Sequence, residues 1–95
     1  MKTFYVYMVT NIARTVLYTG VTSNLLQRVY EHKNHLKGKF TDQYNCEYLV
    51  YYEEINDFYI ATEREKQIKR WSRQKKDFLV NQVNPKWRDL AKDWC

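Results

Sequence analysis

A chain of 95 residues, 44% of them apolar, suits a single domain (residues 1–95) with a modest core. No apolar run is long enough to cross a bilayer, and the N-terminal MKTFYVYMV is too short and lacks the cleavage site of a secretory signal, so a membrane or exported protein is set aside. Cys46 and Cys95 lack any paired spacing and read as ordinary reduced cysteines of a cytoplasmic protein.

The net charge of +5 is unevenly distributed. Residues 1–45 sum to +4, residues 46–63 hold five acids and no Lys or Arg, and residues 64–76 carry seven Lys/Arg against one acid. Two basic regions flanking an acidic one point to an anionic partner with a cation near it. Nine tyrosines bring apolar bodies with polar tips, suited to a half-wet groove as well as a core.

In chain order, Phe4, Val6 and Met8 alternate with Tyr5, Tyr7 and Val9, the pattern of a strand with two usable faces. Asn11 to Thr15 supply a loop, and Val16 to Val21 a second strand paired with the first as an antiparallel hairpin. Gly20 sits where a side chain would crowd a backbone or ligand approaching closely. Ser23 or Asn24 caps a helix expected to run to about Lys37, with Gly38 as its stop. Its apolar stripe is Leu25, Leu26, Val29, Lys33 and Leu36, with Arg28 and His32 one turn apart on the flank.

Residues 38–46 read as a loop and Glu47 to Glu54 as a third strand. Asn56 or Asp57 caps a helix over Phe58 to Trp71, with Ile60, Ala61, Ile68 and Trp71 inward. Ser72 starts another helix through Asn81, with Phe78, Leu79 and Val83 facing in. After Pro85, WRDLAKDW reads as a last short helix burying Trp87, Leu90 and Trp94. The expected fold is α/β (α+β): a three-stranded antiparallel sheet in order 2-1-3 flanked by helices, β-β-α-β-α-α-α, with the first strand central.

Tyr7 and Tyr18 then project from adjacent strands, and Arg28 and His32 from the helix that follows. Two phenols, a guanidinium and an imidazole beside a glycine form a set that can hold a phosphodiester and move a proton. Taken alone, cross-strand tyrosines are more often packing, and Arg–His on a helix flank is more often surface.

The ordered motifs say more. YVY at Tyr5–Tyr7, YTG at Tyr18–Gly20 and Arg28, with TSNLLQRVYEHK following and AxxxE at Ala61–Glu65, resemble the GIY-YIG nuclease family. EREKQIKRWSRQKK and NPKWRDL resemble its small, single-domain bacterial members, which are similar to the N-terminal nuclease domain of the UvrC excision-repair subunit. Tyr5 stands where the family name has its first glycine, and Thr19 where it has isoleucine.

The resemblance implies a DNA endonuclease, structure-directed or weakly sequence-specific, of the kind used in DNA repair or recombination. It makes Tyr7 and Tyr18 the paired phenols, Arg28 the phosphate-stabilising cation, His32 a proton relay or phosphate contact, and Glu65 the carboxylate for one Mg²⁺ or Mn²⁺. A late polar residue of the family matches Asn84 or Asn81. Helix geometry alone does not separate Glu65 from Glu63. Between the tyrosines, Tyr7 is slightly favoured as general base for its central strand, although a phenol with a reference pKa of about 10 needs help to ionise near neutral pH.

Lys66, Lys69, Arg70, Arg73, Lys75 and Lys76 form the expected nucleic-acid surface, whose binding would be salt-sensitive and little dependent on sequence. Specificity would come from DNA structure, an oligomer or a partner protein. The competing reading is a non-catalytic nucleic-acid-binding or partner-recruitment module using the same basic helices. A third places a metal on Glu53, Glu54 and Asp57, which more simply end a strand and cap a helix.

Overall fold

The computed structural model describes residues 2–36 and 39–94. Its elements are β1 (Phe4–Thr10), β2 (Leu17–Thr22), α1 (Leu25–Lys33), α2 (Lys39–Gln43), β3 (Tyr48–Ile55), α3 (Phe58–Lys69) and α4 (Arg73–Val83). The three strands form one antiparallel sheet in order β2-β1-β3, with β1 central as expected. Among the described residues no helix is long and apolar enough to cross a membrane.

The alternation along β1 divides two apolar layers. Val6 and Met8 point to one face, where Val50, Tyr51, Ala61, Ile68 and Val80 complete a buried cluster beneath α3 and α4. Tyr7 and Val9 point to the other, with Leu25 and Val29 of α1, Cys46, Leu49 and Ala91. A bulge in β3 sets the register: Met8 faces Tyr51, Val9 faces Leu49, and Val50 is the extra residue between them. The Asn84 amide donates to the Val50 carbonyl at 3.0 Å, so the bulge leaves no orphaned acceptor there.

Local chemistry explains the differences from the sequence reading. Asn24 caps α1 by accepting from the Gln27 amide, but the helix stops at Lys33, short of the expected Lys37. His35 adopts a left-handed backbone (φ 56°), and the Leu36 amide returns to the Glu31 carbonyl at 2.9 Å, a Schellman closure made before Gly38 is reached. Lys37 and Gly38 lie outside the described residues. The buried residues of α1 are Leu25, Val29 and His32, while Leu26 and Leu36 are exposed.

The segment expected as a loop contains the short helix α2, closed in the same way around Asn45 (φ 56°) by Cys46 N–H to Thr41 C=O at 3.0 Å. On α3, Ala61 and Ile68 are buried and Ile60 points outward. On α4, Val80 is the buried residue, and Phe78 and Val83 are exposed.

The expected last helix is a series of turns latched to the sheet instead. Trp87 has φ 52°, a backbone no right-handed helix accommodates. Asn84 takes both the N–H and C=O of Arg88, and Asp89 accepts from the amides of Leu49 and Ala91 while pairing with Lys33. Inward from this segment are Ala91, fully buried, and Trp87, partly buried against the Val6 and Met8 cluster as expected, while Leu90 and Trp94 remain exposed. Cys46 is a free, buried thiol, and Cys95 lies outside the described residues.

Candidate active site

Antiparallel pairing places Tyr7 opposite Gly20 and Val9 opposite Tyr18, so Tyr7, Tyr18 and Gly20 share one face. The Tyr7 ring lies directly across Gly20. A Cβ there would fall 2.6 Å from both Cζ and the hydroxyl of Tyr7. The glycine is the floor on which the phenol rests.

Helix α1 covers that floor. Its inward stripe carries His32 at 4% exposure, and His32 Nε2 lies 3.0 Å from the Tyr7 hydroxyl in a buried hydrogen bond. The His32 ring is 5.6 Å from that of Tyr7 and 5.9 Å from that of Tyr18. Burial pushes the imidazole down to about 4, with Arg28 adding to the depression and Glu31 and Asp42 opposing it. His32 is therefore neutral near pH 7. Burial likewise drives the Tyr7 phenol above the usual tyrosine range, while the charge and hydrogen bonding of Arg28 work against that rise. Arg28, one turn before His32, pairs with Glu31 at 3.3 Å and stays partly exposed.

Glu65 comes from the other side of the sheet. On α3 it falls between Ala61 and Ile68, and its side chain is 16% exposed. Its carboxylate is 3.3 Å from the Lys69 ammonium, which also sits 5.8 Å from the centre of the Tyr18 ring. Since α3 packs against β1 and β2, it brings Glu65 and Lys69 to the β2 edge, and the Glu65 charge is felt at the Tyr7 phenol. The fold thus gathers Tyr7, Tyr18, Gly20, Arg28, His32 and Glu65 from four elements. Phe40 of α2 adds a wall 6.2 Å from Tyr18, which sequence reasoning missed because it read this stretch as a loop.

Other expected residues lie elsewhere. Asn84 is buried with its amide committed to Val50 and Arg88, and Asn81 accepts from the Trp87 indole at 2.6 Å. Both are architectural here. Arg73 is equally committed: it pairs with Asp77 and donates to the carbonyls of Arg14 and Thr15, fastening the β1–β2 loop to α4. Lys66 leans on Glu63 and Lys75 lies 4.4 Å over Trp71, whereas Arg70 and Lys76 form no ion pair among the described residues. Glu53 is held in the fork of Arg64 and Asp57 caps α3, so neither is free to start a metal cluster.

Among the described residues, no three His, Cys, Asp or Glu side chains converge as a metal cage. One carboxylate beside two phenols suits a hard, largely hydrated dication such as Mg²⁺, and does not suit zinc, which wants several nitrogen or sulfur ligands.

A central strand carrying one buried phenol, an edge strand carrying a second, and a covering helix with arginine and histidine make up a small α/β domain with its polar groups gathered on one sheet face. Residues 3–77 match the GIY-YIG catalytic domain, and the chain belongs to that family. It is 41% identical over 76 residues to a UPF0213 protein of Natronomonas pharaonis, covering 80% of this chain and 88% of that one. It is 38% identical over 78 residues to a UPF0213 protein of Desulfotalea psychrophila, covering 81% and 70%. The solution structure of a UPF0213 protein from Bacillus halodurans superposes with a TM-score of 0.59 over 96% of this chain and 97% of that one, at 24% identity, a likeness of fold.

Proposed function

We propose that this chain is a divalent-metal-dependent DNA endonuclease that hydrolyses phosphodiester bonds by in-line attack of water. The observation that carries this reading is the meeting of Tyr7, Tyr18, Arg28 and His32 on one sheet face with the Glu65 carboxylate, delivered around the β2 edge. A pure binding surface has no need of a carboxylate beside the phosphate it holds.

Arg28 binds the phosphate, its partly exposed guanidinium offering paired N–H donors to the non-bridging oxygens. Tyr18, half-buried on an edge strand, is the phenol placed to meet the attacking water. Tyr7 suits the role of base less well than its central strand suggests, because that strand leaves it with 0% exposure and burial favours its protonated phenol. Tyr7 and His32 instead form the rigid wall that orients Arg28. Glu65 would hold Mg²⁺ or Mn²⁺, which when bound neutralises charge building on the phosphate and the leaving oxygen. Lys69 must release Glu65 for this to happen.

Lys66, Arg70 and Lys76 are the cations best placed to follow the DNA backbone, so preference would come from DNA shape, an oligomer or a partner. A role in repair or recombination, in the cytoplasm, goes with that reading. The alternative, a silent binding module, draws on the Lys69–Glu65 pair, in which the protein's own cation already satisfies the carboxylate.

The deciding experiment offers plasmid, single-stranded, flap and branched DNA with Mg²⁺ or Mn²⁺ to the wild type and to Glu65→Gln. The endonuclease reading expects wild-type cleavage of at least one substrate, abolished in Glu65→Gln with binding retained. Binding without cleavage of any substrate would favour the module.

A further inference from the structure

Tyr5 puts a ring where the GIY-YIG name has glycine, and that ring borders a second concavity. Tyr5 lies opposite Glu54 and Tyr7 opposite Tyr52, so all four project from the sheet face that carries the candidate active site. Tyr52 meets Tyr5 edge to face at 6.2 Å, and Trp94 of the C-terminal turns meets Tyr52 in the same way at 6.0 Å. These rings, Glu54 and the first turn of α1 line a cleft of about 400 Å³. Tyr52 and Trp94 are exposed, so aromatic surface is left open to solvent.

The polar groups of the cleft are of two kinds. Glu54 is an acceptor that forms no ion pair among the described residues, whereas its neighbour Glu53 is held by Arg64. The first turn of α1 supplies donors, because a helix opens with N–H groups that have no carbonyl one turn back. Asn24 N–H goes to the Thr22 hydroxyl and Gln27 N–H to the Asn24 side chain, which leaves those of Leu25 and Leu26.

Among the described residues no lysine or arginine lines the cleft, so a phosphate finds nothing to hold it there and Glu54 repels it. A flat group with two adjacent N–H donors and an acceptor beside them fits. It can stack on the rings, give its donors to both oxygens of Glu54, and accept from a helix N–H. Guanine has this edge, with N1–H and the 2-amino group side by side and O6 next to them. Adenine and cytosine set a lone pair beside their amino group, and thymine sets a carbonyl on each side of its N–H, so each turns an acceptor toward the carboxylate. An arginine side chain has the donors but no acceptor for the helix.

We propose that this cleft reads an unpaired guanine base of the bound nucleic-acid strand, with Glu54 accepting from N1–H and the 2-amino group and with Tyr5, Tyr52 and Trp94 as the stacking surface. Tyr5 is two residues, about 7 Å, before Tyr7 on β1, and Leu25 is one turn before Arg28 on α1. The base therefore belongs to a nucleotide close to the phosphate that Arg28 would hold. The proposal rests on the nucleic-acid part of the endonuclease reading and adds a base preference to it.

The test uses the metal-free full chain with the single-stranded tetranucleotides d(TTGT), d(TTIT), d(TTAT) and d(TTCT), where I carries hypoxanthine, which lacks the 2-amino group. Binding is followed at the indole N–H signal of Trp94, assigned with Trp94→Phe. d(TTGT) is expected to bind about 10-fold tighter than d(TTAT) or d(TTCT), with d(TTIT) between them, and to move the Trp94 signal. Glu54→Gln, at an exposed position, should bring d(TTGT) to within about twofold of d(TTAT). Trp94→Ala should weaken d(TTGT) by at least about fivefold. Equal affinity for d(TTGT) and d(TTAT) in the wild type overturns the proposal even if no variant folds. So does a guanine preference that survives in Glu54→Gln, or a stationary Trp94 signal. Arginine amide moving that signal where d(TTGT) does not would overturn it in favour of a protein partner. A guanine preference in a chain that cuts no DNA sinks the endonuclease reading and leaves this one standing; cleavage with no base preference does the reverse.

Discussion

Gly20→Ala tests the architecture of the site with a single carbon. No unusual backbone conformation holds a glycine at this position, so in an open strand alanine would stabilise by about 0.5–1 kcal/mol through the unfolded chain. Here the new Cβ meets Tyr7 Cζ and Oη at 2.6 Å and Cε1 at 2.8 Å, well inside contact distance. These atoms are the far end of a side chain, but that end is not free. The ring is rigid, has 0% exposure, and is packed within the cluster of Val9, Leu25, Val29 and Leu49. Relief requires the ring to swing, which opens the hydrogen bond to His32, or β2 to shift. Overpacking of this kind costs about 1–3 kcal/mol and outweighs the intrinsic gain. For a domain of this size that is a fall in Tm of roughly 5–15 °C, readable by calorimetry or circular dichroism. The cause is isolated by a double-mutant cycle with Tyr7→Leu, which removes the clashing atoms. The loss from Gly20→Ala should shrink by at least about 1 kcal/mol in that background. Equal losses in both backgrounds, or a stabilised Gly20→Ala, would refute the idea that the glycine exists for the phenol.

Asn84→Ala should destabilise by about 2–3 kcal/mol, since it strips partners from the Val50 carbonyl and from both backbone groups of Arg88, while activity per folded molecule is retained. Denaturant melts beside a cleavage assay check both halves of that expectation. Arg70→Ala and Lys76→Ala should each lower the salt dependence of DNA binding by about one unit of slope, whereas Arg73→Ala should lower Tm and leave the slope unchanged. His32 should also write a signature into stability against pH. Its folded value of about 4 lies below the unfolded 6.5, so between these values the unfolded state binds more protons. Its stabilisation is complete above about pH 6.5 and is lost as pH falls toward 4, up to roughly 3 kcal/mol in all. His32→Gln should flatten that part of the curve.

The sheet was legible because β1 and β2 carry clean alternation and because the helical crossover between β2 and β3 leaves few arrangements open. That alone places Tyr7, Tyr18 and Gly20 on one face. Helix interiors were harder to read. In the region of α1, Leu26 and Leu36 suggest an apolar stripe, yet the structure buries His32, which lies seven residues after Leu25 and three after Val29 on one face, its polar ring answered there by the Tyr7 hydroxyl. The end of α1 was misplaced because a histidine closes it in a left-handed conformation usually left to glycine. The C-terminal segment misled most: WRDLAKDW has helical spacing, but Asn84 and Asp89 claim its backbone groups first. Such long-range capping is invisible to a local window. Arg73 shows the same limit, since its charge suggested a phosphate contact where its partners fasten a loop.

The same kind of error left helix geometry unable to choose Glu65, the carboxylate of the proposed chemistry, which only the family resemblance singled out. Counting Ile60 among the inward residues of α3 widens its stripe until Glu63 and Glu65 sit at opposite edges, and nothing separates them. With Ile60 outward, the buried face narrows to Ala61 and Ile68, and Glu65, four residues after one and three before the other, lies on it. Glu63 does not; its side chain is 50% exposed against 16% for Glu65. A carboxylate on a core-facing stripe is unfavourable unless a cation answers it. Lys69 does so from the next turn, on the side where the Tyr18 ring ends the sheet. An apolar residue would fill this position more stably, so what Glu65 contributes is a negative charge held at a fixed place beside two phenols. The lysine that neutralises it is long and half exposed, able to swing away when a phosphate or a divalent cation arrives. Glu65 and Lys69 are thus read together as a carboxylate kept ready by a cation it can release.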